Sequence, residues 1–273
     1  MEHLFMCLFA ICISSLMKWK RLVEDTIKVI NRLDSTSSLC LINALEFKAL
    51  WPPFDKESTL IRPFITDKGD TLQIPIMEEG ERYASFVDRE GFQAVSMPYY
   101  GSCYRMLVVL PKTEKLALFS QSMTHELFIN ILDSLHEPEE VDVALPRFKS
   151  ESDLSMTDLL KELLPSIFCD KSFGFNAMND DLLNPPAIAA INQKTCIEVS
   201  EEGNKAQSVT EESWVEFLLK PEVIADHPFL YFIYDEATRA ILLMGQFCGD
   251  GALSRDGDIT LEEYFRNMKN EMN

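Results

Sequence analysis

Positive charge is the first thing this chain is short of. Lys and Arg total 25 against 44 Asp and Glu, a formal net charge of -19 over 273 residues. A field of that sign repels phosphate and sulfate. Nucleic acid, heparin-like polyanions and anionic membrane surfaces are therefore not expected partners, and a cationic or apolar partner is favoured. Histidine is scarce as well: His3, His125, His136 and His227 are scattered, without metal-ligand spacing. Cysteine occurs at positions 7, 12, 40, 103, 169, 196 and 248 with no C-x-x-C pair, so neither a metal nor a cofactor is expected. The odd count argues against a disulfide framework, and Cys40 and Cys196, inside apolar runs, read as buried free thiols. No Gly-rich phosphate loop, no G-x-S-x-G elbow and no Cys–His pair with an orienting carboxylate occurs, which speaks against an enzyme. A run long enough to span a membrane is also missing. Leu4–Ile13 is apolar but short, and Lys18, Lys20 and Arg21 follow it. That run has two readings, a signal-like segment over residues 1–16 or a core helix at a truncated N-terminus; the expected location is extracellular, with the cytoplasm as the alternative. Glu2 and His3 stand where a signal usually carries Lys or Arg.

What is present is ordinary globular composition, 47% hydrophobic and 25% charged. Trp19–Leu33 spaces Leu22, Val23, Ile27 and Ile30 as an amphipathic helix. Leu39–Phe47 is apolar except for Asn43 and reads as a strand buried on both faces, in which Asn43 must find partners. Thr71–Met77, Tyr83–Val87, Phe92–Met97 and Tyr104–Leu110 follow as an antiparallel meander, with turns expected at Lys68-Gly69-Asp70, Glu79-Gly80 and Tyr100-Gly101. Leu116–Leu135 is helical, with Thr124 as an internal N-cap. Val141–Phe148 alternates as a half-buried strand in which Pro146 suits a strand end or an irregularity, and Asp158–Leu164 is a short helix stopped near Pro165. Ala189–Val199 is a buried strand, and Phe229–Tyr234 with Ile241–Phe247 form a hairpin around Asp235–Arg239. Residues 250–273 form a tail in which Asp256–Glu263 follows half of a calcium-loop pattern. Ala252 and Ser254 occupy its carboxylate positions, so the tail reads as a capped, solvated helix.

Between the strands ending at Val199 and starting at Phe229 lies a long segment of mixed character, and gaps of that length in compact domains are usually functional or disordered. Gly203–Thr210 is small and polar with no proline, so strand pairing is open to it, and Gly203 gives the backbone a pivot. Trp214, Val215, Phe217, Leu218 and Leu219 are large apolar groups that a solvated linker avoids, and they read as displayed to a partner.

Glu201-Glu202-Gly203 with Thr210, and then Ala225-Asp226-His227-Pro228-Phe229-Leu230, resemble the reactive-loop hinge and downstream signature of the serpins. Leu41–Trp51 followed by Pro53-Phe54-Asp55-Lys56-Glu57 and Thr59 is similar to that family's central strand, and Leu145-Pro146-Arg147-Phe148 and Leu243-Met244-Gly245 match further motifs. The resemblance implies an α+β, multi-sheet serpin-like fold over residues 17–249, with a mostly antiparallel central sheet, a second sheet and an exposed reactive loop at about 201–226. It implies no counterpart of the family's N-terminal helical bundle. It implies inhibition of serine endopeptidases by a bait loop that is cleaved and then inserts into the central sheet. The implied hinge is Glu201, Glu202, Gly203, Asn204, Lys205, Ala206, Gln207, Ser208, Val209 and Thr210. Asn43 and Gln193 fall at shutter positions, where Gln193 replaces the usual histidine. Trp51 and Arg147 fall in the breach, with a salt bridge between Arg147 and Glu201. The family offset from Gly203 puts the scissile bond at Phe217–Leu218, with Leu218 and Leu219 as alternative specificity residues. An aromatic there suits the apolar pocket of a chymotrypsin-like protease. A monomer is expected.

Strand periodicity tests the insertion. One face of an inserted strand would carry Asn204, Ala206, Ser208, Thr210, Glu212 and Trp214, and burying the Glu212 carboxylate opposes deep insertion. Asn204 and Lys205 replace the family's small or acidic pair, and Gln207 and Val209 interrupt its alanines. These departures favour the alternative of a non-inhibitory serpin-like binding or substrate protein.

Overall fold

The computed structural model describes residues 5–12, 39–47, 51, 54–112, 115–168, 188–201 and 220–252. The helix expected over 19–33, the tail beyond 252 and the loop residues 202–219 lie outside them. The fold is α+β, with two sheets and three short helices among the described residues. The chain divides into two compact units: Met1–Lys48 with Ser150–Glu198, and Ala49–Lys149 with Val199–Asn273.

The first unit is built on a four-stranded sheet ordered β1 (Phe5–Cys12), β2 (Leu39–Phe47), β9 (Ile188–Val199), β8 (Phe148–Ser155). Leu4–Ile13 is open to a helical reading from its residues; eight of them are instead a strand, parallel to β2 from Phe5↔Leu39 to Cys12↔Glu46. A ten-residue apolar run carries no period that separates strand from helix, and pairing with a neighbour decided it. β2 and β9 pair directly and in parallel, with Asn43 opposite Gln193. Both side chains are half-buried rather than sealed in. The short helix α3 (Thr157–Leu163) is tied to β9 by Thr157, whose hydroxyl accepts the Ile191 N–H at 3.0 Å.

The second unit carries an eight-stranded sheet ordered β10 (Glu222–Ile224), β7 (Glu139–Pro146), β4 (Thr71–Asp88), β5 (Phe92–Pro98), β6 (Tyr104–Pro111), β11 (Phe229–Asp235), β12 (Ile241–Phe247), with β3 (Thr59–Ile65) also on β4. Antiparallel pairings predominate: those of the second sheet are antiparallel except β10·β7, while in the first sheet β1·β2 and β2·β9 run parallel. β4 corrects one expectation. The turn at Glu79-Gly80 is a bulge inside a single 18-residue strand, because β7 pairs on both sides of it, Glu79↔Val143 and Arg82↔Val141. Two residues, Gly80 and Glu81, oppose Asp142 alone, which bends the strand without ending it.

β11 explains the core. Six consecutive residues, Phe229 to Tyr234, are buried, as a continuous apolar run requires when both faces are covered. Leu230, Phe232 and Tyr234 pack with Phe119 of α1 (Leu116–Ser122) and Phe128 and Ile131 of α2 (His125–Ser134). Thr124 is the N-cap expected within this helical stretch: its hydroxyl accepts the Leu127 N–H at 3.2 Å, and α2 starts afresh there. Phe229 and Tyr231 meet Phe148, which also packs on Phe247 at 4.7 Å between ring centroids. Each buried phenyl contributes roughly 2–3 kcal/mol of transfer free energy. Of the described free cysteines, Cys103 is exposed while Cys196 and Cys248 are half-buried, so full burial of thiols does not hold for them.

Gly245 makes this core possible, since a Cβ there would sit 2.3 Å from the Tyr231 hydroxyl oxygen. Tyr231 is buried and cannot swing away. Gly245→Ala is expected to cost about 1–3 kcal/mol, the range for an overpacked core, read as a lowered urea midpoint with an unchanged slope. A wild-type midpoint would overturn the argument.

Candidate functional site

The two ends of the 202–219 segment are both fastened to the second unit. At its start, Glu201 is buried at 5% exposure, and each carboxylate oxygen has a protein partner. Oε1 accepts the Thr59 hydroxyl at 2.9 Å, and Oε2 faces Arg147 Nε at 3.3 Å. Arg147 follows the last residue of β7, where Pro146 ends the strand, and its own N–H donates to Pro75 O at 3.0 Å. One residue earlier, Ser200 O accepts the Trp51 indole N–H at 3.1 Å. Trp51 is buried, stacked at 9° on Tyr99 and edge-on to Phe54. Arg82 lies over the Phe54 ring, its guanidinium carbon 4.0 Å from the centroid, and is paired with Glu79. Burial pushes the Arg82 guanidinium below its ordinary pKa, and burial pushes the Glu79 carboxyl up against the opposing pull of Arg82.

At the far end, Lys220 Nζ reaches Glu140 at 3.0 Å, near the start of β7. Asp142 N–H donates to Pro221 O at 2.9 Å, β10 runs parallel to β7, and Ala225 N–H donates to Ala144 O at 2.8 Å. The downstream signature is pinned as well: Asp226 O accepts the Ile65 N–H at 2.8 Å, and a His227 ring nitrogen lies 2.8 Å from Pro111 O. The tethers therefore grip opposite ends of one strand. Seven steps of β7 separate Glu140 from Arg147, about 23 Å at 3.3 Å per residue. The connecting 18 residues span roughly 60 Å when extended. The connection is therefore far longer than the distance between its tethers requires.

Of the residues singled out from sequence, Trp51, Arg147 and Glu201 come together at the start of this segment, and Asn43 and Gln193 face each other in the first unit's sheet. Glu202 to Thr210, Phe217 and Leu218 lie outside the described residues. Thr59, Ser200, Arg82, Glu79 and Lys220 join Trp51, Arg147 and Glu201 at the two ends of the segment, and no spacing in the sequence links them to it. A buried position for Arg82 had no local signal, because Glu79-Gly80-Glu81-Arg82 reads as a polar turn. Among the described residues, no group of three or more His, Cys, Asp or Glu side chains is placed to hold a metal ion, and no helix is long and apolar enough to cross a membrane.

The family model described as Serpin (serine protease inhibitor) matches residues 20–249. Serpin B5 of Xenopus tropicalis is 29% identical over 230 residues, covering 81% of this chain and 60% of its own length. Neuroserpin of Mus musculus is 32% identical over 237 residues, covering 82% of this chain and 57% of its own. Among solved structures, native protease nexin-1 with heparin superposes with a TM-score of 0.66 at 26% identity, covering 85% of this chain and 66% of that one. The chain thus spans less than two thirds of each of these relatives. A two-sheet α+β fold with a long segment tethered at both ends defines the class of protein. The chain belongs to the serpin family.

Proposed function

We propose that the chain is a serpin-type inhibitor of a chymotrypsin-like serine protease, with residues 201–226 as its bait loop. The protease cleaves between Phe217 and Leu218, its serine holding the Phe217 carbonyl as an ester, and the hinge from Glu202 to Thr210 then enters the four-stranded sheet between β2 and β9. The observation that carries this reading is the double tether: a buried, fully engaged Glu201 at one end, Lys220 and β10 at the other, and an over-long connection between them. The sheet supports it. β2 and β9 are direct parallel neighbours, and a chain reversing after Val199 runs antiparallel to both. Insertion exchanges one parallel ladder for two antiparallel ones, a gain of several hydrogen bonds at about 1 kcal/mol net each. Burial of Glu212 subtracts from that gain.

The chain acts by being consumed, as a monomer, on a protease rather than on nucleic acid or heparin. Its extracellular location is part of the proposal through the signal-like reading of residues 1–16, and cytoplasm is the alternative. Removal of those residues would take β1 from the sheet. Equimolar incubation with chymotrypsin followed by a denaturing gel tests the proposal. A complex that survives SDS is expected; clean cleavage near Phe217 with no complex overturns inhibition and supports the non-inhibitory substrate or binding reading.

A further inference from the structure

We propose that Arg82, held by Glu79, is the positioning residue of the loop's first tether: it fixes the Phe54–Trp51 pair on which Ser200 is fastened. This rests on the reading of residues 202–219 as a displayed loop, and it adds what determines how firmly the root of that loop is held.

Four contacts form an unbroken series. Glu79 binds the Arg82 guanidinium; that group lies 4.0 Å from the Phe54 centroid and 5.8 Å from the Trp51 centroid. Trp51 packs edge-on against Phe54 and stacks on Tyr99, and its indole N–H holds Ser200 O. Glu201, the next residue, is the last described one before the loop. The series sets the one torsional freedom that matters to the hydrogen bond. An indole pinned on one face by an aromatic ring and at its edge by a second ring with a cation behind it cannot tilt its N–H away from Ser200.

Stability alone does not account for Arg82. It is 3% exposed, and burying a guanidinium is costly even when it is paired, whereas an apolar side chain of similar length would fill the same space at less cost. The β4 bulge lies directly before it, with Gly80 and Glu81 set against Asp142 alone. Bulges commonly re-aim a side chain, and this one delivers Arg82 to the aromatic pair.

The pairing responds to pH. Arg82 faces Glu79 from the same strand, Asp55 faces it from the segment before the 56–58 turn, and Arg62, Glu78, Asp142 and Glu222 line the same cleft. Burial, reinforced by Asp55 and only partly offset by Arg82, places the Glu79 carboxyl above its ordinary 4.5. As pH falls through that raised value Glu79 takes up a proton, Arg82 loses its counter-charge, and the hold on Trp51 slackens.

The chain has three tryptophans, so Trp19→Phe and Trp214→Phe leave Trp51 as the sole reporter in the full-length protein. In that background, Arg82→Met is expected to red-shift Trp51 emission. It is also expected to speed cleavage after Glu202 by a glutamate-specific endoprotease about ten-fold, scored by mass. Arg82→Lys, which keeps the cation, restores most of both. Glu79→Gln removes the emission step that the parent shows on acidification. Wild-type emission and cleavage in Arg82→Met overturn the proposal, and so does an Arg82→Lys variant no better than Arg82→Met, which would reduce the role to packing. Should Arg82→Met not fold, an acid emission step that persists in Glu79→Gln overturns it equally. Cleavage after Glu202 involves no target protease, so its outcome is separate from the covalent-complex test.

Discussion

Arg147→Ala is expected to destabilise the folded chain by about 3–5 kcal/mol, the cost of stranding one member of a buried ion pair. Glu201 would keep the Thr59 hydroxyl as partner while losing the guanidinium from Oε2, in a place where its side chain is only 5% exposed. Against a typical folding free energy of 5–15 kcal/mol this removes a large share of the total. The contrast within the molecule is sharp. Lys161 and Asp158 also form an ion pair, but with side chains 51% and 98% exposed, and Lys161→Ala should change stability by less than about 0.5 kcal/mol. Urea denaturation followed by far-UV circular dichroism measures both. The double substitution Arg147→Met with Glu201→Gln should recover most of the loss, since the amide oxygen still accepts from Thr59 and no charge is left buried. An Arg147→Ala variant as stable as its parent would mean that Glu201 finds water, and the first tether would then be far looser than its geometry implies.

Phe217→Arg is expected to exchange one protease class for another. A chymotrypsin-like pocket is an apolar slot, and a trypsin-like pocket ends in a carboxylate. Placing a guanidinium in the first leaves it unpaired, so chymotrypsin cleavage at the 217–218 bond should fall by roughly 100-fold or more, while trypsin cleavage there rises by a similar factor. Initial rates by mass spectrometry of the two fragments settle it. Unchanged chymotrypsin cleavage in the Phe217→Arg variant would move the specificity residue to Leu218 or Leu219. If the variant forms an SDS-resistant complex with trypsin where the parent forms one with chymotrypsin, residue 217 governs inhibition as well as cleavage.

Both predictions concern one segment, yet they differ in how each became visible. The proposed specificity residue rests on the family offset from Gly203 alone. The tether came from distances. Thr59 and Glu201 lie 142 residues apart and Trp51 and Ser200 lie 149 apart, and no periodicity links such pairs. Arg147 and Glu201 were connected only through the family resemblance, which carried no information about Thr59, Arg82 or Lys220. The strands show the same dependence. Turn chemistry is local, so Glu79-Gly80 reads as a turn from its own residues, and it is a bulge because β7 supplies partners on both sides. Phe5–Cys12 could not be assigned from its own residues because a short apolar run suits either regular structure until a neighbour offers hydrogen bonds.

The residues alone carry the α+β class, the strands between Leu39 and Phe247 that alternate or run apolar, the cap at Thr124 and the resemblance to the serpin family. Each of these depends on residues close together in the chain, whose spacing encodes period, turn or motif. What needed the assembled strands is that Glu201 is sealed between Thr59 and Arg147, that Arg82 lies against the Phe54–Trp51 pair, and that Glu201 and Lys220 are gripped near opposite ends of β7. Those are properties of burial and approach, and a side chain's desolvation and partners exist only once distant strands have been laid side by side.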